Sequence, residues 1–233
     1  MKKGILLAGA LLGAVALLTL VLGRLSSLME PAMQSAAVQR TRPLILDAGH
    51  GGEDGGAVSL TGVSESKINL AIVLKLRDIL GLYGVDSILL REEDISLYSE
   101  GASTLREKKR SDLKNRVEAI EAVEGGTLLS IHQNTYTSSR YHGTHVFYAP
   151  TEGSQPLAEH FQACVKIALQ PDNERAVKQI PDTVYIMNHV TCPAVLIECG
   201  FLTNPDEEAM LRDEGYQRQL AAVIAAGWLT APE

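Results

Sequence analysis

From residue 43 onward, the sequence alternates between apolar runs of strand length and longer segments whose apolar residues recur at helical spacing. This alternation is typical of an α/β domain in which helices connect the strands of a parallel sheet. The apolar runs lack the polar alternation of half-exposed strands, so we expect helices on both faces of the sheet. The sequence therefore predicts a single three-layer α/β domain with a twisted, mostly parallel sheet. The predicted strands are 43–48, 85–91, 127–132, 144–149, 183–187 and 193–199, and the predicted helices are 65–82, 104–124, 154–170 and 206–228, the last with a possible break near Gly215.

The N-terminus carries an apolar segment of a different kind. Residues 4–23 contain no charged side chain, and a helix of 20 residues spans about 30 Å, the thickness of the hydrocarbon core of a bilayer. Lys2 and Lys3 precede this segment, which predicts a cytoplasmic N-terminus and a domain outside the membrane.

Two interpretations of this segment stay open. A cleaved signal peptide would have a shorter apolar core and a cleavage site close behind it, whereas Ser35-Ala36-Ala37, the nearest candidate, lies well downstream. We therefore expect an uncleaved membrane anchor, and a secreted domain if the segment is removed. The predicted organisation is an N-terminal signal-anchor or transmembrane segment (1–23), a linker (24–42) and a folded domain (43–233).

The charge balance narrows the classes of partner. The net charge is −7, whereas a nucleic-acid-binding protein usually presents a basic patch or stripe, so we expect no nucleic-acid partner. One dense basic run, Arg106–Arg116, is predicted to be a solvated helix face, with a basic lip beside a substrate as the alternative.

Side chains able to carry chemistry gather at the predicted strand ends. In open α/β sheets, ligands bind beyond the carboxyl ends of the strands. The first strand runs into the glycine-rich stretch LILDAGHGGEDGGA, which contains His50. The third strand ends at His132, the last ends at Glu198, and Glu65 begins the first helix.

A phosphate-binding loop fits this glycine-rich stretch poorly. A Walker loop needs a lysine after the glycines, and none is present. A dinucleotide fingerprint needs a third glycine where this sequence has an acidic residue, and Glu53 and Asp54 would repel a phosphate.

A metal site fits better, although the residues taken singly do not establish it. A catalytic zinc often takes two histidines and one carboxylate and keeps a fourth position for water, a set that His50, Glu65 and His132 could supply. Glu198 would then find a partner and a role as general base beside the metal. Each residue also has a structural interpretation: a strand-end histidine is more often part of a core, Glu65 is favoured by the helix dipole, and Glu198 could belong to an ion pair.

Four motifs give the chain a family resemblance. The segments "DAGHGGEDGGA", "ESKINL", "SIHQN" and "ECGFLTNP" occur in this order. They resemble the motifs of the zinc-dependent N-acetylmuramoyl-L-alanine amidases, and the similarity runs from about residue 43 to residue 228. Two departures are mild: Ala48 stands where proline is usual, and Thr203 replaces the usual serine.

The resemblance implies a site and a reaction. It implies that His50, Glu65 and His132 bind Zn²⁺ and that Glu198 is the catalytic carboxylate. It also implies hydrolysis of the amide between N-acetylmuramic acid and L-alanine in peptidoglycan. Asn134 would hold the loop or a substrate amide. The family motif gives no ligand role to His142 and His145, which we expect to be surface or substrate-lip residues.

Within the family, the chain looks most like the spore-cortex amidases of endospore formers. The features behind this are the N-terminal anchor without wall-binding repeats and the segment TLREKKRSDLKNRV. The resemblance implies a role in forming muramic lactam during cortex maturation. A vegetative amidase for cell separation or wall turnover is the first alternative, and a catalytically silent peptidoglycan-binding or regulatory module is the second. The expected partners are peptidoglycan, the membrane through the N-terminal helix, and an activating protein.

Overall fold

The computed structural model describes residues 42–232. These residues form one α/β domain with a six-stranded sheet and five α-helices, as the alternating pattern predicts. The strands are β1 (Leu44–Ala48), β2 (Ser87–Leu89), β3 (Thr127–Asn134), β4 (His145–Tyr148), β5 (Lys178–Gln179) and β6 (Ala194–Phe201). The helices are α1 (Glu65–Leu82), α2 (Leu105–Glu121), α3 (Ser154–Ala168), α4 (Pro205–Arg212) and α5 (Glu214–Thr230), with a 3-10 turn at Ile186–Asn188.

The strand order places the ends of three parallel strands side by side. The order across the sheet is β2-β1-β3-β6-β4-β5. Strands β2, β1, β3 and β6 are parallel, β4 runs antiparallel to β6, and β5 runs parallel to β4. The ends of β1, β3 and β6 therefore lie along one edge of the sheet, where β4 begins. This carboxyl edge is where a ligand of an open α/β sheet would bind.

Helices cover both faces of the sheet. The larger core lies on the face that packs against α1, α3 and α5, and it contains Trp228 and Phe161 among its largest buried side chains. The opposite face packs against α2 and the 3-10 turn through Ile120, Ile186 and Met187. The structure thus confirms the three-layer arrangement with a mostly parallel sheet.

The predicted strand at residues 183–187 is wrong. This apolar run forms turns and the 3-10 turn, whose side chains Ile186 and Met187 are buried. The Asn188 side chain donates to the carbonyls of Pro181 and Val184, at 2.9 and 2.8 Å, which favours a turn over an extended strand. The fifth strand of the chain is instead β5, a short strand at the edge of the sheet whose two residues are polar and exposed.

The break near Gly215 is confirmed, and its cause is Asp213. Asp213 ends α4 and is also the N-cap of α5, where its carboxylate accepts from the Tyr216 amide at 2.8 Å. At the start of α4, the Asn204 side chain accepts from the amides of Asp206 and Glu207. Each helix therefore has its own N-terminal cap.

The sequence predicts that the basic run in α2 is a solvated helix face, but several of its side chains contact other parts of the domain. Arg116 is 1% exposed and forms ion pairs with Asp47 and Asp112. Lys108 and Lys109 contact the acidic pair of the glycine-rich loop, Glu53 and Asp54. The helix thus anchors the loop after β1.

The predicted membrane segment (1–23) lies outside the described residues, as does the predicted linker (24–42) apart from Arg42. Within residues 42–232, no helix is both long and apolar enough to cross a bilayer.

Candidate metal centre

The glycines after β1 are required by close approaches to other site residues. A Cβ atom on Gly49 would lie 2.2 Å from the ring of His132. Gly56 has a positive φ of 68°, and a Cβ there would lie 2.7 Å from both Glu65 and His50. The loop can therefore wrap around these side chains only with glycine at both positions.

His50 itself has a backbone conformation that is uncommon for a residue with a side chain. Its φ is +62°, in the left-handed region. The guanidinium of Arg116 donates to its carbonyl at 2.7 Å, which holds the backbone in this conformation. Nδ1 of the His50 ring lies 3.1 Å from Asp54, and Nε2 lies 3.5 Å from Glu65. The loop thus turns the imidazole towards the first residue of α1.

Glu65 is a buried carboxylate surrounded by donors. Its Oε2 accepts from the Ala57 amide at 2.9 Å, and its Oε1 accepts from the Gln133 amide at 3.1 Å. Nδ1 of His132 lies 2.9 Å from the same Oε1. Burial opposes ionisation, but the hydrogen bond with His132 and the charges of both histidines outweigh it and lower the pKa of Glu65 to about 2. Glu65 is therefore a carboxylate anion at neutral pH.

These three side chains form one cluster. One candidate ligand atom from each of His50, Glu65 and His132 lies within 4.8 Å of the others. The two imidazole rings meet edge to face, with centroids 5.1 Å apart. Burial lowers the pKa of His132, but the adjacent Glu65 carboxylate outweighs it and raises that pKa to about 8. Two imidazoles and a carboxylate form a donor set suited to zinc, and Asp54 orients one imidazole from behind as carboxylates commonly do in such sites.

Glu198 lies beside the cluster on the neighbouring strand. It is the register partner of His132 in the β3–β6 pair. Its Oε2 atom is buried and has no hydrogen-bond partner among the described residues. Burial raises the pKa of Glu198 to about 7, the charge of Glu65 adds to this, and the charge of His132 opposes it. A buried carboxylate oxygen without a partner is costly, so this geometry suits a group that would occupy the cluster.

Several supporting residues were not found from the sequence. Asp47 is fully buried, pairs with Arg116 and accepts from Ser130 at 2.6 Å. Arg91 donates to the carbonyls of Ala48, Gly49 and Ser66, at 2.8, 3.1 and 2.9 Å, and so joins the end of β1 to the start of α1. The strand-end position of Asp47 was a usable signal, but no local pattern marks the arginines.

Asn69 links three parts of the site. Its side-chain amide donates to the Gly49 carbonyl at 3.1 Å and to Glu65 at 3.2 Å, and it accepts from Gln133 at 3.1 Å. It occupies the asparagine position of the "ESKINL" motif, which was therefore a signal for its role.

The other predicted residues lie at the same edge of the sheet. Asn134 ends β3, and its carbonyl accepts from the Leu202 amide at 2.8 Å. His142 is exposed, as predicted. His145 is not a surface residue, since it is 5% exposed and lies in β4 as the register partner of Glu198 in β6. Burial lowers the pKa of His145 to about 4, and the charges of Arg175 and Lys178 add to this effect. Its position in β4 explains the burial.

A comparison with known protein families agrees with the resemblance seen in the sequence motifs. The family model described as N-acetylmuramoyl-L-alanine amidase matches residues 44–229, which is nearly the whole described domain. The chain belongs to this amidase family. It is therefore an enzyme, a peptidoglycan amidase, which confirms the resemblance seen in the four motifs.

Two relatives illustrate the similarity. The germination-specific N-acetylmuramoyl-L-alanine amidase of Bacillus subtilis (strain 168) is 35% identical over 187 residues, which cover 80% of this chain and 78% of the relative. The CwlD amidase from Clostridioides difficile, whose structure was solved in complex with the GerS lipoprotein, is 41% identical with a TM-score of 0.77. That match covers 81% of this chain and 96% of the other.

A second solved structure extends the comparison within the family. The catalytic domain of CwlV from Bacillus (Paenibacillus) polymyxa is 30% identical with a TM-score of 0.65, covering 81% of this chain and 96% of that chain. The amidase is thus CwlD-like in both sequence and fold, and it shares its fold with other members of the family.

Proposed function

We propose that this amidase is zinc-dependent and hydrolyses the amide bond between N-acetylmuramic acid and L-alanine in peptidoglycan. His50, Glu65 and His132 would hold the zinc, and Glu198 would be the catalytic carboxylate. The observation that carries the proposal is the cluster of three ligand atoms within 4.8 Å of one another, beside a buried Glu198 oxygen without a partner.

The donor set fits the metal. Zinc in catalytic sites commonly takes two imidazoles and one carboxylate and leaves a position for water. When bound, zinc supplies Lewis-acid chemistry, which activates water and polarises a carbonyl. Binding needs His132 in its neutral form, and the loop already brings His50 to the same point through its left-handed backbone.

Glu198 performs the proton transfers in the proposed reaction. Its Oε2 accepts a proton from the attacking water, whose oxygen bonds to the lactyl carbonyl carbon. The same carboxyl returns that proton to the alanine nitrogen as the carbon–nitrogen bond breaks, which leaves a lactyl carboxylic acid and a free amine. The second water proton then passes from this acid to the amine, so the final products are a carboxylate and an ammonium group. Burial raises the pKa of this carboxyl above that of an exposed glutamate, which favours return of the proton, because an effective acid–base catalyst has a pKa close to the working pH. Asn134, two residues beyond His132, would bind a substrate amide.

We propose a role in maturation of the spore cortex, where peptide removal prepares muramic acid for lactam formation. The support is the similarity to the germination-specific amidase of Bacillus subtilis and to CwlD of Clostridioides difficile. A vegetative role in cell separation or wall turnover is the alternative, because the chain is also similar to an N-acetylmuramoyl-L-alanine amidase whose name makes no mention of germination, LytC of Bacillus subtilis (strain 168), which is 29% identical over 187 residues. The presence of all four proposed site residues argues against a silent module.

The remaining proposals concern location and partners. We propose that residues 1–23 anchor the protein in the membrane and that residues 24–42 link the anchor to the catalytic domain at 43–233, outside the cytoplasm. Cleavage of the anchor would instead give a secreted enzyme. An activating protein is a further proposed partner, because the Clostridioides difficile relative forms a complex with the GerS lipoprotein.

The test is release of stem peptides from purified peptidoglycan by the full chain in detergent, followed by mass spectrometry. We expect fragments that begin with L-alanine, loss of release with a chelator, and recovery with zinc. Metal analysis of His132→Ala should show that bound zinc is lost together with hydrolysis. Release that resists a chelator, or full zinc content in His132→Ala, would contradict the zinc assignment.

A further inference from the structure

Next to the candidate metal centre lies a group of aromatic side chains that the proposed reaction does not use. Tyr136 and Tyr141 are 51% and 43% exposed, and their ring centroids are 4.3 Å apart. The ring of Phe201 lies 6.1 Å from that of Tyr141, and the guanidinium of Arg175 lies 4.7 Å from the Phe201 ring centroid and 5.9 Å from that of Tyr141. We call these four side chains the tyrosine platform.

The platform is held in place by three hydrogen bonds to two other segments, one with Thr203 and Asn204 and one with Arg175. The Tyr136 amide donates to the Thr203 hydroxyl at 3.1 Å, and the Asn204 side chain donates to the Ser139 carbonyl at 2.9 Å. The Arg175 side chain donates to the His142 carbonyl at 3.0 Å. Residues 135–143 are therefore tied at several points, and the exposed rings form a surface whose shape is fixed before any ligand binds.

The platform is continuous with the candidate metal centre. Tyr136 follows Asn134 by two residues, at the end of the strand that carries His132. Phe201 is on the strand that carries Glu198, and it is the register partner of Asn134. The two tyrosines thus extend the carboxyl edge of the sheet from the proposed catalytic groups outwards.

We propose that the tyrosine platform binds the glycan strand of the substrate on the sugar side of the scissile amide. This inference rests on the proposed function, since that amide joins a sugar to a peptide and the two must leave the site in different directions. Exposed tyrosine rings present a flat apolar face that packs against the C–H face of a pyranose ring, while their hydroxyls offer hydrogen bonds to sugar oxygens. A stem peptide, whose main features are amides and charges, would call mainly for hydrogen-bonding and ionic partners, whereas three of the four platform side chains are aromatic and only Arg175 is charged.

The first experiment measures binding without hydrolysis. The probe is a set of peptide-free glycan strands, which the enzyme cannot cleave, titrated against the full chain by calorimetry. Tyr136→Ala/Tyr141→Ala should weaken binding about tenfold, because two aromatic contacts are lost. Tyr136→Phe/Tyr141→Phe keeps both rings and should retain most of the binding. Tyr83→Ala is the matched control, because Tyr83 is 54% exposed at the far end of α1 and should leave binding unchanged.

The second experiment separates glycan recognition from the chemical step. It compares hydrolysis of long glycan–peptide strands with hydrolysis of a muramoyl peptide that contains one sugar. In the double alanine variant, we expect the ratio of kcat/KM on strands to kcat/KM on the single-sugar substrate to fall about tenfold, through a rise in KM for strands.

The outcomes distinguish this inference from the proposed function. A wild-type chain that binds glycan strands but releases no peptide from either substrate would contradict the proposed function alone. Equal losses on both substrates with unchanged glycan binding would assign the platform to the muramoyl peptide and overturn the inference. Unchanged values in all assays would overturn it as well, and would leave the platform as a surface for a protein partner.

Discussion

The two faces of the central strands β1, β3 and β6 carry different kinds of side chain near the carboxyl edge of the sheet. On the face towards α1, α3 and α5, the residues of β1, β3 and β6 stay apolar up to the carboxyl edge: Leu44, Leu46, Ala48, Leu129, Ile131, Val195, Ile197 and Cys199. On the face towards α2, the apolar residues give way near that edge to Asp47, Ser130, His132 and Glu198. Because side chains alternate along a strand, one backbone supports both patterns.

The two faces therefore have different roles: the apolar face contributes mainly to folding stability, and the polar face carries the proposed catalytic and metal-binding groups. The apolar face contributes burial and holds the strands in register. The other face places polar groups in a buried setting, where each needs a partner. A substitution on the first face should therefore change only the free energy of unfolding, whereas a substitution of His132 or Glu198 on the second face should change metal binding or catalysis. The ion pair of Asp47 with Arg116 and the buried His145 lie on the second face too, and they affect stability as well.

The largest expected effect is on the polar face, at Glu198. Glu198→Gln keeps the size of the side chain but removes the proton acceptor, so stem-peptide release should fall by about 10²–10⁴-fold. Zinc content and thermal stability should stay near those of the unmodified chain, because Glu198 is not among the proposed ligands. Retained hydrolysis would remove Glu198 from the proton-transfer role.

The second prediction tests the ion pairs below the site. Arg116→Met leaves Asp47 and Asp112 without their buried cation, so the free energy of unfolding should fall by about 3–5 kcal/mol in urea denaturation. Arg110→Met, at an exposed position of the same helix, should change it by less than about 0.5 kcal/mol. Equal effects of the two substitutions would show that the buried network does not hold α2 to the sheet.

The third prediction concerns pH and the buried His145. Its pKa is about 4 in the folded chain and near 6.5 when unfolded, so the unfolded state binds more protons between these two values. Stability should therefore fall as pH drops from 6.5 to 4, by at most about 3 kcal/mol. Metal-free His145→Phe should lose this part of the pH dependence in urea titrations. The exposed His189→Gln control should keep it, and a variant curve parallel to that of the unmodified chain would refute the assignment.

The smallest expected effect is on the apolar face, one residue before Glu198. Ile197 is fully buried, so Ile197→Val should lower the free energy of unfolding by about 0.5–1.5 kcal/mol. Zinc content and kcat should remain unchanged, because the side chain faces away from the cluster. A loss of activity as large as that of Glu198→Gln would show that the two faces are not independent.

Much of the fold could be predicted from local patterns. The apolar runs of β1, β3 and β6 and the helical periodicity of α1 gave these elements nearly their observed bounds, and the strand ends pointed to His50, His132 and Glu198. The strand predicted at residues 183–187 was wrong because a short apolar run does not distinguish a strand from a buried turn.

The rest depended on contacts between distant parts of the chain. The strand β5 exists because Lys178 and Gln179 meet β4 at the edge of the sheet. The burial of Arg116 follows from its pairing with Asp47, which is 69 positions away, and a run of basic residues gives no sign of such a partner. Local sequence therefore located the candidate ligands but not the groups that hold them.

The position of β3 between β1 and β6 has a consequence for the order of events during synthesis. His50 and Glu65 leave the ribosome first, His132 follows, and Glu198 follows only with β6. A nascent or truncated chain that stops before β6 lacks the proposed acid–base group and one wall of the site. Long-range strand pairing of this kind also forms late in folding. Hydrolytic activity should thus appear only after β6 has been synthesised, so no fragment that lacks β6 is an active amidase.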